Sequence, residues 1–496
     1  MNIRPDDKWT KAAEALKIEG RAFIGGRYVD AASGKTFDSI NPATGAVVAK
    51  IAECDVEDVD RAVAAGREAF EKGVWSRMAP AERKRRLIRF AEAMAANAEE
   101  LALLETLDVG KPINDSLAVD VGASVNCIRW FGEAIDKVYD EVAPTAANAV
   151  ALIRREALGV VGAVVPWNFP LLMTAWKLGP VLAAGNSVVL KPAEQSPLTG
   201  IRIAQLAVEA GIPEGVFNVV PGFGETAGRA IGMHMDVDAV TFTGSTEVGR
   251  YFMEYSGKSN LKRVSLECGG KSPNIVLADT PDLDAAATQT AWGIYYNQGE
   301  VCSAGSRLIV EESIRDEFLE KVEAVAKSIV VGDPLDTRTQ MGPVVDETQM
   351  KRVLGYIEAG VAEGAKLRFG GARIGDKGCF VAPTLFEQVD NRMKIAQEEI
   401  FGPVLSAITV KDFDEALKVG NDTIYGLAAA VWTKDINKAF KAASALRAGV
   451  VWVNCYEAGD ITTPFGGFKQ SGFGRDKSIH SIDKYSDLKT TWINLT

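Results

Sequence analysis

From Gly159 onward, short apolar runs and helical stretches take turns along the chain. Residues 160–165 and 187–190 read as buried strands, the second running into Lys191-Pro192. A helix is expected over 197–210, a strand over 217–220, a strand over 239–243, and a helix from about Thr246. After Lys271 the alternation resumes. Strands are expected at 274–277, 307–310, 428–432 and 450–453, and helices at 283–296 and 314–329. Strands that are apolar throughout belong to sheets buried on both faces, so this order predicts an α/β fold: parallel sheets with helices on either side.

At 496 residues the chain exceeds one ordinary core, and two or three domains are expected. The first third reads as largely helical, over 56–72, 80–108 and 115–138, before an extended segment at 148–156. Residues 488–495 form an apolar, strand-like tail whose edge needs a partner. The uncharged stretch 157–176 is long enough for a bilayer, but Pro166, Asn168 and Pro170 interrupt it and Lys177 follows. A strand, a turn and a buried helix fit it better, and no membrane role is expected. A net charge of −11 gives no basic footprint for nucleic acid. The charged start, Met1 to Lys8, has no secretory pattern. Six cysteines without a CxxC pair indicate neither a metal site nor a disulfide framework, and a reducing cytoplasm is expected.

Several turns carry candidate chemistry. Val219 to Gly224, and Phe242-Thr243-Gly244-Ser245, each end a strand in glycine before a helix, a geometry that admits a phosphate to backbone N–H groups. Bare βα turns remain an alternative for each. Lys191-Pro192-Ala193-Glu194 ends another strand. There a glutamate would bond the ribose hydroxyls of NAD and repel the extra phosphate of NADP, unless the loop is merely solvated. Asn168 follows a buried strand and offers a side-chain amide to an oxyanion, or else to its own turn. Cys302 lies among small residues after a polar glycine loop. With only His234 and His480 in the chain, a carboxylate such as Glu267 is the natural proton acceptor for a thiol or a water. A small buried hydrophobe and a strand-end ion pair are the plainer readings of these two residues.

Together these segments resemble the aldehyde dehydrogenase superfamily over essentially the whole chain. Leu266–Pro273 resembles its glutamate motif and Gly299–Cys302 its cysteine motif. Pro166–Pro170, Lys191–Glu194, Gly244–Gly249, Glu398–Pro403 and Pro464–Gly467 agree in order and spacing. Cys268 departs from the leucine or alanine common beside that glutamate. The resemblance implies two Rossmann-like doubly wound domains and a small β-hairpin oligomerisation domain. Residues 1–137 and 158–268 would bind NAD, 269–480 would be catalytic, and 138–157 with 481–496 would join subunits, the hairpin pairing with a neighbour's C-terminal strand. Homodimers or homotetramers would result.

The resemblance also implies roles. Cys302 would attack the aldehyde carbon, Asn168 and the Cys302 N–H would hold the oxyanion, and Glu267 would activate water against the thioester. Lys177 would support the site near the cofactor, which would be NAD, with NADP as a second option. Its wall would comprise Pro166, Trp167, Lys191, Glu194, Gly224, Phe242, Gly244, Ser245, Gly269, Glu399 and Phe401. No metal is implied. More narrowly, Glu105–Asp108, Ala134–Tyr139, Gly459-Asp460 and Gly472–Ser478 resemble bacterial ω-aminoaldehyde dehydrogenases of the γ-glutamyl-γ-aminobutyraldehyde and 4-guanidinobutyraldehyde type. Asp120, Glu457 and Asp460 would then face a cationic aldehyde beside Phe169, Trp176, Val301, Ser303 and Phe465, although each acid reads equally as a solvated loop residue. A broad-specificity or semialdehyde dehydrogenase and a CoA-acylating enzyme are the alternatives on this scaffold, and a non-catalytic scaffold protein the alternative of another class.

Overall fold

The computed structural model describes residues 7–495. The first six residues of the expected cofactor segment, with most of the charged start, and Thr496 of the oligomerisation segment lie outside that range.

One sheet has eight strands. Its centre is five parallel strands, in spatial order Arg263–Glu267, Ala239–Thr243, Val160–Val164, Ser187–Lys191 and Phe217–Val219. The central three are buried along their whole length, which is why they read as continuous apolar runs. Sequence order reverses between Val160–Val164 and Ala239–Thr243: from the first the chain steps outward one way, and from the second the other way. Antiparallel strands flank this centre on both sides, Gly472–Phe473 beside Arg263–Glu267, and Ala22–Ile24 beside Phe217–Val219 with Arg27–Val29 outside it.

The second sheet has seven strands. Pro273–Val276, Arg307–Glu311, Thr384–Glu387, Val404–Val410, Ala428–Trp432 and Val450–Val453 run parallel, and Lys366–Phe369 closes one edge antiparallel. Helices such as Leu198–Glu209 and Arg315–Ser328 bury one apolar face each. A separate three-stranded sheet joins Glu141–Ala143, Ala149–Ala157 and Ser486–Asn494. No helix among the described residues is long and apolar enough to cross a membrane.

Three expectations need correction. The first third is not wholly helical. It carries Ala22–Ile24, Arg27–Val29, Thr36–Ile40 and Val47–Ala52, and the first pair turns at Gly25 and Gly26 with φ of 61° and 84°, the positive values a two-residue hairpin requires. The helix expected over 80–108 breaks into Pro80–Ala96 and Ala98–Val109, because Asn97 leaves the helical region (φ −109°, ψ 25°) and turns its side-chain amide back to the Ala93 carbonyl at 2.8 Å. Finally, Ser486–Asn494 pairs over nine residues with Ala149–Ala157 of its own chain. The hairpin's partner is therefore this chain's own tail, and the tail's outer edge is left open along its length.

Candidate active site

At a topological switch point the loops leaving neighbouring strands diverge and open a crevice at the carboxyl ends. The loop after Val160–Val164 supplies Pro166, Trp167 and Asn168, and the loop after Ala239–Thr243 supplies Gly244 and Ser245. All five line one cavity of about 480 Å³, as do Glu267 and Cys302. The two sheets therefore meet at this crevice.

Cys302 rides on a constrained turn. Asn297, Gln298 and Gly299 have φ of 47°, 57° and 72°, three left-handed residues in succession. Only glycine fits the third, since a Cβ there would stand 2.2 Å from the Gly402 carbonyl oxygen. Such backbone is held by its surroundings, and it sets the direction in which the chain leaves towards Cys302. Asn297 donates to the Asn168 main-chain carbonyl at 3.1 Å, and the Asn168 amide donates to the Glu300 carbonyl at 2.8 Å. That uses one of the two Asn168 amide hydrogens and leaves the other for the cavity. Cys302 is half-buried. Desolvation first, then the charges of Glu457, Glu399 and Glu267, pushes its thiol well above the ordinary range.

Glu267 ends its strand 5% exposed, and neither carboxylate oxygen has a hydrogen-bond partner among the described residues. Burial, with the charge of Asp476 second, raises its carboxyl well above the usual value, against the pull of Lys177, Lys484 and Arg475. Lys177 does not line the cavity. Fully buried, it ion-pairs with Asp476, which also accepts from Lys484 at 2.5 Å. Asp476 is not among the residues the sequence marks; its neighbours along the chain give no sign that two lysines converge on it.

On the cofactor side, Glu399 accepts from the Gly270 N–H at 3.0 Å, and burial lifts its carboxyl to about 7. A Cβ at Gly269 would fall 1.9 Å from Glu399 Oε2, and one at Gly270 would fall 2.5 Å from the Cys302 carbonyl oxygen. Phe401 packs edge-on against Trp167 at 5.1 Å. Lys191 donates to Glu194 at 2.9 Å at the carboxyl end of its strand, outside the cavity wall. Ser245 caps the helix Thr246–Lys258 by accepting from the Val248 N–H at 3.2 Å, and exposed Gly224 opens the short helical turn Gly224–Gly228. Phe242 is a correction. Its ring is 3% exposed and packs on Phe252 at 5.0 Å, so it belongs to the core, not the cavity wall.

The opposite end is aromatic. Phe169, Trp176, Tyr296 and Phe465 line it, with Trp176 and Phe465 5.3 Å apart. Val301 and Ser303 also line it. Of the three acids expected there only Glu457 does; the residue is exposed overall, and the shielding of its carboxyl from water raises it above the usual range. Asp120 lies behind the wall. Fully buried, it accepts from Lys111 at 2.5 Å, and the same ammonium stands 3.8 Å from the Phe169 ring centroid. Asp460 is exposed and turned onto Thr462, accepting its N–H at 2.9 Å and its hydroxyl at 2.6 Å. Leu172, Met173, Gln349 and Arg352 also line the cavity, with Val119, Thr243 and Cys268, and none of the first four is marked by the sequence as a site residue; helical spacing shows Leu172 and Met173 only as buried. Among the described residues no group of three or more His, Cys, Asp or Glu could hold a metal ion.

Comparison with known proteins gives the same outline. The model of the aldehyde dehydrogenase family matches residues 28–491. The chain is 52% identical over 495 residues to the NADP/NAD-dependent aldehyde dehydrogenase PuuC of Escherichia coli K12, covering 100% of both chains. It is similar to the crystal structure of γ-glutamyl-γ-aminobutyraldehyde dehydrogenase from Burkholderia cenocepacia J2315, at 57% identity and a TM-score of 0.98, covering 99% of this chain and 100% of that one. It is equally similar in fold to the P. syringae indole-3-acetaldehyde dehydrogenase AldA in complex with NAD+ and IAA, at 59% identity, a TM-score of 0.98 and the same coverage of 99% and 100%.

Proposed function

Since the chain belongs to the aldehyde dehydrogenase family and is an NAD(P)-dependent aldehyde dehydrogenase, we propose that its substrate is an ω-amino- or guanidino-aldehyde. The observation that carries this reading is Glu457, the carboxylate at the aromatic end of the cavity that also holds Cys302. A carboxylate beside aromatic faces attracts a cation. The name of the B. cenocepacia relative supports the same class.

The catalytic roles proposed rest on placement. The Cys302 thiol gives its proton to Glu267, which releases it to solvent, and the sulfur bonds to the aldehyde carbon while the free Asn168 amide hydrogen and the Cys302 N–H hold the resulting oxyanion. Such a donor typically contributes about 3 kcal/mol to the transition state. Bound in the crevice, nicotinamide supplies the hydride acceptor. Glu267, unpartnered and buried, takes a proton from water as the water's oxygen attacks the thioester; the acid leaves and the thiol is restored. An available carboxylate base favours water over CoA as acyl acceptor. Lys177 and Asp476 steady the field around Glu267.

The cofactor fits the residues present. Thr243 Oγ1 is buried in the cavity wall without a partner among the described residues, and a Cβ at Gly269 would collide with the Glu399 carboxylate. Lys191 and Glu194 would hold the adenosine ribose, Gly224, Gly244 and Ser245 the pyrophosphate, and Glu399 the nicotinamide ribose, between Pro166, Trp167 and Phe401. The segments 1–137 and 158–268 would form the cofactor domain, 269–480 the catalytic domain, and 138–157 with 481–496 the surface of a homodimer or homotetramer. A cytoplasmic location accompanies this reading.

A neutral aromatic aldehyde is the second reading. Lys477 stands 5.6 Å from the Trp176 ring and would compete with a cationic substrate, and the AldA relative acts, by its name, on indole-3-acetaldehyde. Steady-state kinetics on 4-aminobutyraldehyde and on a neutral aldehyde of equal length separate them. A kcat/KM at least tenfold higher for the cation is expected; equal values would end the proposal.

A further inference from the structure

Behind Tyr296 lies a second cavity, of about 580 Å³, lined by Asn114, Asp115, Trp292, Tyr296, Thr337 and Arg338 among others. Tyr296 is common to its wall and to that of the catalytic cavity. The charges lining this outer space are not balanced against each other. Arg338 is already paired with Asp336, through both Nε and Nη2. Asn114 donates to the Thr337 carbonyl at 2.7 Å, and Gln340 accepts from the Val330 N–H at 3.0 Å. Asp115 alone of the charged groups in the wall has no side-chain hydrogen bond or ion pair among the described residues, although it is half-buried. The nearest influences on it are Lys111, which is committed to Asp120, and Asp120 itself.

An unpaired, partly desolvated carboxylate that shares a cavity wall with an indole and a phenol ring is complementary to one kind of ligand, an ammonium group on an apolar stem. We infer that this outer cavity is a binding site for a primary alkylammonium group, held by Asp115 between Trp292 and Tyr296. The same chemistry has two sources, a free aliphatic amine or the far end of a long aminoaldehyde entering past Tyr296. The site does not depend on the substrate class proposed above; an enzyme that prefers neutral aldehydes could still take an amine here.

Calorimetric titration of the whole protein with putrescine tests it, in a Glu457→Gln background so that the aromatic end of the catalytic cavity no longer offers a carboxylate. Binding should persist in Glu457→Gln and weaken about tenfold or more when Asp115→Asn is added, the usual effect of removing one charged hydrogen-bond partner. Loss of all binding in Glu457→Gln alone, or equal binding with and without Asp115→Asn, would overturn the inference. Asp115 touches no catalytic group, so Asp115→Asn should oxidise a neutral aldehyde at the wild-type rate, which verifies its fold. Kinetics of that variant then separate the sources. A KM raised for the aminoaldehyde only identifies the substrate's own tail, and an unchanged KM identifies a free amine; both are forms of the site.

Discussion

Lys111 holds its ammonium 2.5 Å from Asp120 and 3.8 Å from the centre of the Phe169 ring, with no exposed surface on either side chain of the ion pair. The acid that sequence assigns to the substrate is thus spent on a lysine, and that lysine backs an aromatic wall of the pocket. Removing Asp120 leaves that buried ammonium only the more distant Glu105 carboxylate, 3.9 Å away. Asp120→Ala should therefore cost about 3–5 kcal/mol of stability, read by chemical denaturation, while the preference between cationic and neutral aldehydes stays as in the wild type. A collapse of that preference with stability unchanged would return Asp120 to the substrate.

Cys302→Ala should abolish aldehyde oxidation and leave NAD binding, measured by fluorescence titration, within about twofold. Glu267→Gln should give a burst of NADH of about one equivalent and then a steady rate lower by about a hundredfold or more. A steady rate equal to wild type would remove Glu267 from the role of base. Because burial raises both the Cys302 thiol and the Glu267 carboxyl, and each acts as its conjugate base, kcat/KM should climb with pH on the alkaline side of neutrality.

Asp108 gives a stability test away from the chemistry. It is 1% exposed, accepts from the Leu198 N–H at 2.9 Å and the Ser39 hydroxyl at 2.8 Å, and burial raises its carboxyl to about 8. A folded-state value above the unfolded one means that the folded protein holds the proton more tightly. The stabilisation is complete below about pH 4 and is lost as pH rises towards 8. Asp108→Asn keeps an acceptor for Leu198 and a donor for Ser39, and carries no charge. It should be the more stable protein at pH 9, by a margin that shrinks at pH 6, in parallel denaturation curves.

Glu194→Gln should raise the kcat/KM ratio of NADP over NAD about tenfold, since it removes a like charge from the ribose phosphate. A ratio unchanged in a coupled absorbance assay would mean that Glu194 does not reach the ribose.

Much of the parallel core is legible in the sequence because strands such as Val160–Val164 and Ala239–Thr243 are buried on both faces and so are apolar throughout. The short strands before residue 52 are not, since Arg27–Val29 and Val47–Ala52 are partly exposed and their residue types are mixed; only the Gly25-Gly26 turn betrays them. Cys302, Glu267, Asn168, Glu399 and Phe465 converge on one cavity, as loops at strand ends can suggest. Acidity, by contrast, says nothing about partners. Asp120, Glu457 and Asp460 look alike in sequence, yet Lys111 claims the first, Thr462 the third, and only Glu457 reaches the wall. Asp476 is hidden for the same reason, because its two lysines come from positions 177 and 484.

Gly269 and Gly270 are sequence neighbours, one grazed by the Glu399 carboxylate and the other by the main chain of Cys302. Two functions therefore abut across a single peptide, with not even a methyl group's clearance. Any redesign of selectivity has to leave that seam untouched and work on the rings at the aromatic end, such as Trp176 and Phe465.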